Sequence, residues 1–179
     1  QLETIHPFQD GNGRLGRLLI TFLFCAEGVL REPLLYLSLY FKQHRETYYR
    51  LLQEVRERGA WEAWLEFFLE GIADTANQAF QTANKIVALF QEDRQRIGAE
   101  AAAPNSVLRV HELLQTSPYV TAPGARKKSG LALPTVNAAL DQLVKLGMVV
   151  EVTGKKRGRV YSYRRYLDLL SDAAPSDDP

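Results

Sequence analysis

Apolar residues recur at helical spacing along most of the chain and give way to short alternating runs only near its end. Over residues 14–27 the positions Leu15, Leu18, Leu19, Phe22, Leu23 and Ala26 form one stripe, which predicts a helix with a core-facing side. Gly28 follows as its C-cap. Arg31-Glu32-Pro33 reads as a linker, with Pro33 in the first turn of the next helix. Residues 35–57 form a second helical stretch, in one or two pieces, with Tyr36, Tyr40, Tyr48 and Leu51-Leu52 facing inward. Gly59 ends it, and Trp61, Trp64, Phe67 and Phe68 open another segment. A long helix is expected over 72–96, its stripe made by Ala73, Ala76, Phe80, Ala83, Val87 and Phe90.

Residues 98–105 read as a linker, although the alanine run within them is compatible with a longer helix. Three shorter helices follow at 106–116, 122–129 and 133–146, the last opened by Pro134 and closed by Gly147. Two β-rich runs, 148–152 and 159–163, are joined by Gly154-Lys155-Lys156-Arg157-Gly158, a hairpin signature. A short helix over 166–170 and an acidic, disordered tail over 171–179 complete the chain. The order helix–helix–helix–strand–turn–strand is that of a winged helix-turn-helix. The fold class is therefore mainly α: a helical segment over 1–97, a linker, and a small α+β winged helix over 106–170.

Charge divides along the same line. Residues 1–104 carry 11 Lys and Arg against 14 Asp and Glu, whereas residues 105–171 carry 11 against 4. A surplus of this size in one part of a chain suggests a separate partner for it, nucleic acid first. Other bulk properties mainly exclude. The chain of 179 residues has 46% hydrophobic residues, enough for a core without staples. A single cysteine, Cys25, rules out a disulfide framework within the chain and suits a reducing, cytoplasmic setting. No apolar run is long enough for a membrane span, and no secretory signal opens the sequence. The chain starts without Met and in mid-motif, which suggests a piece of a longer protein.

Chemistry concentrates in the first seventeen residues. Gly11-Asn12-Gly13 stands directly before a strongly apolar helix. Glycines let the backbone turn its N–H groups toward one point, and the helix start adds the positive end of a dipole, so the loop suits phosphate. Asp10 at its mouth suits Mg²⁺, which proteins usually hold with one carboxylate plus substrate phosphates. Arg14 and Arg17, three apart, project from one face and both reach a polyphosphate. His6 has an imidazole whose ordinary pKa suits proton removal from a hydroxyl at neutral pH. Taken singly, His6 and Asp10 read as capping residues, and Asn-Gly reads as a hairpin turn. Together within twelve residues they are hard to attribute to packing.

His6-Pro7-Phe8-Gln9-Asp10-Gly11-Asn12-Gly13-Arg14-Leu15-Gly16-Arg17 resembles the Fic family motif, H-x-F-x-[DE]-G-N-G-R-x-x-R, at every specified position. Leu35-Tyr36-Leu37-Ser38, the stretch 44–49 and Trp61-Glu62-Ala63-Trp64 are also similar to Fic proteins, so the resemblance covers about residues 1–97. A weaker one, to the winged helix at the C-terminus of many bacterial Fic proteins, covers 106–170. The resemblance implies a protein adenylyltransferase. His6 would deprotonate a Ser, Thr or Tyr hydroxyl of a target protein, and Asp10 would hold Mg²⁺ between the α- and β-phosphates of ATP. Gly11, Asn12 and Gly13 would form the anion hole, Arg17 would grip the terminal phosphate, Arg14 would support the cradle, and Phe8 would anchor the loop in the core. The intact Gly11-Asn12-Gly13 favours transfer of AMP over phosphorylation, while relatives that use UTP or CDP-choline remain an open alternative. The family's target-pinning flap and its inhibitory motif [ST]-x-x-x-E-[GN] are not found, so the isolated chain is expected to modify targets poorly.

In a winged helix the third helix enters the major groove. Thr135, Asn137 and Gln142 are then the polar candidates for base edges, Asn137 pairing with adenine. Arg126, Lys127 and Lys128, with Lys155, Lys156, Arg157 and Arg159 on the wing, would hold phosphates. The same features also suit protein docking or homodimerisation, and a DNA-binding regulator with a non-catalytic Fic body is the competing reading. Cys25, Trp61, Trp64 and the tyrosines at 36, 40, 48 and 49 are expected in the core. His44 and His111 are expected at the surface or an interface, since neither has partners at metal spacing.

Overall fold

The computed structural model describes residues 5–33 and 36–173. The fold is mostly helical and ends in a small antiparallel sheet, and the chain forms two compact units, Gln1–Phe80 and Gln81–Pro179. In chain order the helices are α1 (Asn12–Ala26), α2 (Leu37–Gln43), α3 (Arg45–Arg58), α4 (Trp61–Glu100), α5 (Pro104–Thr116), α6 (Ala122–Ser129), α7 (Leu133–Lys145) and α8 (Arg164–Ala173). The strands are β1 (Tyr119–Thr121), β2 (Val150–Glu151) and β3 (Val160–Ser162), ordered β1-β3-β2.

The first unit holds an aromatic core. Leu37, Tyr40 and Phe41 of α2 and Tyr48 and Leu51 of α3 bury against Phe67 of α4, with Ile20, Trp64 and Phe68 packed around them. Gly71 makes this approach feasible: a Cβ at that position would lie 2.5 Å from the Tyr40 ring. The break between α2 and α3 falls at His44, whose ring packs against that of Tyr40 with centroids 4.4 Å apart and planes tilted by 43°.

Several expectations fail here, each because periodicity identifies a stripe but not what covers it. Tyr36 and Tyr49 are 55% and 54% exposed, and Trp61, the first residue of α4, is 59% exposed. The stripe of α1 is about half exposed at Leu15, Leu18, Leu19, Phe22 and Leu23, and Cys25 is half-buried. Pro33 lies in a bend ahead of α2 rather than in its first turn, because the fixed φ of proline serves a bend equally well. The expected helix start at Leu35 lies outside the described residues.

In the second unit, α5 and α7 pack most closely. Val107, Val110 and Leu114 meet Val136, Ala139, Leu140 and Leu143, while Ala125, Met148, Val149, Tyr161 and Tyr163 close the core. Leu89 and Ile97 of α4 join it, whereas Phe80 and Val87 of the expected stripe are exposed. The buried positions of α4 in this unit are Leu89, Asp93 and Ile97, spaced by four, one of them a carboxylate. Short β1, which the sequence pattern missed, pairs with β3 through Val120 and Tyr161, and β2 pairs with β3 on the other side. The arrangement is winged-helix-like. α8 runs to Ala173, into the start of the expected tail, and residues 174–179 lie outside the described residues.

His111 is a correction. It is 1% exposed and accepts at Nδ1 from the Gln115 amide at 3.2 Å, so Nε2 carries the proton and faces the Tyr163 hydroxyl at 3.2 Å. That hydroxyl donates to Asp93 Oδ2 at 2.6 Å, and Arg165 Nη1 donates to Oδ1 at 3.1 Å. Burial lowers the pKa of His111, partly opposed by the nearby Asp93 carboxylate. Burial and the bond to Asp93 raise that of Tyr163. A buried carboxylate is tolerated because each of its oxygens has a partner.

Candidate active site

The loop before α1 is shaped by its own residues. Gly11 is the N-cap at φ 81, a left-handed conformation that glycine adopts without steric cost. The Asn12 side chain, 2% exposed, reaches back over the loop: its Oδ1 accepts from the Phe8 N–H at 3.0 Å and its Nδ2 donates to the Phe8 carbonyl at 2.6 Å. Phe8 therefore enters through its backbone. Its ring is 52% exposed and does not anchor the loop in the core as expected, because the buried amide of Asn12 already fastens the turn. With that side chain turned inward, Asn12 would meet a ligand only through its backbone N–H, one of the N–H groups that a helix start leaves without an intrahelical partner.

Asp10 closes the loop from the other side. Its Oδ1 accepts from the Gly11 N–H at 2.6 Å, and its Oδ2 pairs with Arg14 at 3.1 Å. The carboxylate is 93% exposed, so the Arg14 pair is solvated and exchangeable. His6 has φ 51, the one positive φ at a non-glycine position among the described residues. Backbone in this region costs energy and clusters where geometry serves function. His6 is exposed on the lead-in to the loop.

Beside the loop lies a cleft of about 410 Å³. Arg14 and Arg17 of α1 line one part of it, and Ser38, Phe41 and Lys42 of α2 another. Arg45, Tyr48 and Tyr49 of α3 complete it with Tyr36, and no carboxylate is among its lining residues. Arg45 lies over the Tyr49 ring, 5.6 Å from its centroid. The structure thus brings Arg14 and Arg17 to one cleft, whereas His6, Asp10 and Gly11 to Gly13 are not among its lining residues. Lys42, Arg45, Tyr36 and Tyr49 do not stand out as binding residues in the sequence. The one available signal was a basic pair, three apart, flanking a helix break.

No group of three or more His, Cys, Asp or Glu side chains suited to a metal ion occurs among the described residues. Magnesium asks for less: one or two carboxylates plus phosphate oxygens and water suffice, and solvent-facing Asp10 beside a helix start fits that donor set.

In the second unit, Arg126, Lys127 and Lys128 are exposed on α6, and Lys155, Lys156, Arg157 and Arg159 are exposed between β2 and β3. A groove of about 330 Å³ joins Asn137 and Asp141 of α7 to Lys156, Arg159 and Tyr161. Arg126 and Lys127 line a neighbouring one beside Leu133, while Thr135 is half-buried and lines neither. Glu151 fixes the root of the wing, accepting from the Thr153 hydroxyl and from the amides of Thr153 and Gly154. These bonds, that of the hydroxyl first, hold its carboxyl below the usual range. Among the described residues no helix is long and apolar enough to cross a membrane.

Known proteins align with the loop end of the chain. Residues 1–24 match the Fic/DOC family. Over 55 residues, 31% of the chain, the sequence is 38% identical to a protein of Aquifex aeolicus (strain VF5) named as a probable protein adenylyltransferase. The matched stretch spans 15% of the length of that relative. The homology is weak and partial, confined to a small, N-terminal fraction of the chain.

Proposed function

We propose that the first unit is the nucleotide-gripping part of a protein adenylyltransferase that uses ATP and Mg²⁺. One observation carries the reading: a left-handed glycine and a buried, doubly bonded asparagine set the loop at the start of α1, with Arg14 and Arg17 of the same helix turned into the adjoining cleft. The likeness to the Aquifex protein supports the same chemistry.

On this reading the N–H groups of Asn12 and Gly13 receive a phosphate, joined by that of Gly11 once Asp10 Oδ1 releases it, and Arg17 takes the terminal one, with Arg14 beside it. Asp10 would hold Mg²⁺, which when bound offsets phosphate charge. His6 takes the proton of a target Ser, Thr or Tyr hydroxyl. The hydroxyl oxygen bonds to the α-phosphorus, the bond from that phosphorus to the bridging oxygen breaks, and pyrophosphate leaves with the electron pair. Positioning and charge neutralisation supply most of the rate in such a transfer.

Calorimetric titration with ATP·Mg²⁺ tests the reading. Binding is expected for wild type and His6→Ala and lost in Arg17→Ala, with AMP transfer lost in both variants. Equal binding by wild type and Arg17→Ala would remove the basis for it.

A second reading concerns the other unit and rests on the groove that joins Asn137 to Lys156 and Arg159. It fits duplex DNA, with α7 offering Asn137 to a base edge and with α6 and the wing on phosphates. Affinity for duplex DNA should fall steeply with salt, and Lys155→Ala with Lys156→Ala should flatten that slope by about two. A salt-independent interaction with protein alone would contradict it.

A further inference from the structure

The cleft in the first unit carries more positive charge than the loop chemistry uses. Four cations line it, from three helices: Arg14 and Arg17 of α1, Lys42 at the end of α2 and Arg45 at the start of α3. Arg14 is engaged by Asp10 at 3.1 Å. Among the described residues Arg17, Lys42 and Arg45 have no carboxylate within ion-pair distance. Three like charges around one concavity repel one another and are stabilised by an anion placed between them. Arg45 adds to this, since it is the first residue of α3, where the positive end of the helix already stands. Its guanidinium is held over the Tyr49 ring at 5.6 Å, which fixes the cation without neutralising it.

A phosphomonoester brings a charge of about −1.5 to −2, less than these three cations offset. A diphosphate matches them better, and a cleft of about 410 Å³ has room for one. We infer that Lys42 and Arg45, together with Arg17, form a diphosphate subsite that holds the two terminal phosphates of the nucleotide and then the departing pyrophosphate. This rests on reading the neighbouring loop as a phosphate cradle, and it adds two residues on α2 and α3 that the loop motif does not contain.

The test is titration of inorganic pyrophosphate into the 179-residue chain at low salt. Lys42→Ala with Arg45→Ala should weaken binding by at least about tenfold, since two charge-assisted contacts are removed. Lys42→Arg with Arg45→Lys should recover at least about threefold of the lost affinity, because both charges are kept, and fall short of wild type because lysine does not reproduce the Arg45 contact with the Tyr49 ring. Arg50→Ala, which removes an exposed cation paired with Glu54 outside the cleft, should change nothing and controls for net charge. All three side chains are exposed, so the variants are expected to fold. Pyrophosphate affinity unchanged by the double alanine substitution, in a chain that still binds ATP·Mg²⁺, overturns the subsite and leaves the cradle standing. Pyrophosphate bound through Lys42 and Arg45 by a chain that takes no ATP supports a diphosphate site there and overturns both the cradle and the site's role toward the nucleotide. A wild-type chain that binds no pyrophosphate overturns the subsite outright.

Discussion

Replacing Tyr163 with Phe deletes one oxygen from the core of the second unit and leaves the ring in place. That oxygen donates to Asp93 Oδ2 at 2.6 Å and faces His111 Nε2 at 3.2 Å. Asp93 is fully buried and keeps only its Arg165 partner, so one carboxylate oxygen loses its bond. Hydrogen bonds to a charged group contribute about 1.5–3 kcal/mol, and an orphaned buried acceptor costs a similar amount. A loss of about 2 kcal/mol lowers the midpoint of a unit this size by roughly 8–16 °C. Both tryptophans, Trp61 and Trp64, belong to the first unit, so their fluorescence would not report it. Amide exchange at Val110 and Leu140, buried in the second core, would. The alkaline limb offers a second readout. The folded pKa of Tyr163 lies above its ordinary value of 10.0, so its contribution is complete below pH 10.0 and lost as pH rises beyond it. Tyr163→Phe should abolish that limb. A midpoint shift under about 2 °C, with the alkaline limb unchanged, would mean that the Tyr163 hydroxyl does not hold Asp93 in the core.

His111 has a depressed folded pKa, so its neutral form is favoured and stability should hold above its ordinary value of 6.5 and decline as pH falls below it. Urea midpoints of the second unit at pH 8 and 5 should therefore converge in His111→Asn. In the first unit, Gly71→Ala puts a methyl 2.5 Å from the Tyr40 ring and should cost about 1–3 kcal/mol despite the better helix propensity of alanine. Gly98→Ala in α4 meets nothing within 4 Å and should stabilise by about 0.5–1 kcal/mol. Tryptophan fluorescence in urea reads the first of these, and amide exchange in the second unit reads the other. Asn12→Ala removes both bonds to the Phe8 backbone. It should weaken ATP·Mg²⁺ binding by about tenfold or more and cost about 1–2 kcal/mol of the first unit's urea stability, since the Phe8 amide and carbonyl lose their partner.

Local structure was legible in the sequence where it is encoded in consecutive residues. The glycine loop and helix start are one such case, and α6 is another, opened by the Thr121 cap and closed by Gly130 at φ 70. What depends on neighbours distant in sequence was not. Tyr36 stands four residues before Tyr40, and Tyr49 directly follows Tyr48; only the packing of α2 against α3 and α4 buries Tyr40 and Tyr48 and leaves Tyr36 and Tyr49 exposed at the cleft. Asp93 lies in a polar run that reads as solvated surface, because its partners Tyr163 and Arg165 stand seventy or more residues away. Strand β1 has three residues, too few for alternation to show, and exists because β3 offers it an edge.

The most direct measurement is an amide chemical-shift titration of the chain with ATP·Mg²⁺. If the start of α1 is a phosphate cradle, the largest changes fall on Gly11, Asn12, Gly13 and Arg14, with Arg17 following, and all vanish in Arg17→Ala. Shifts absent from that turn, or equally large in Arg17→Ala, would contradict it.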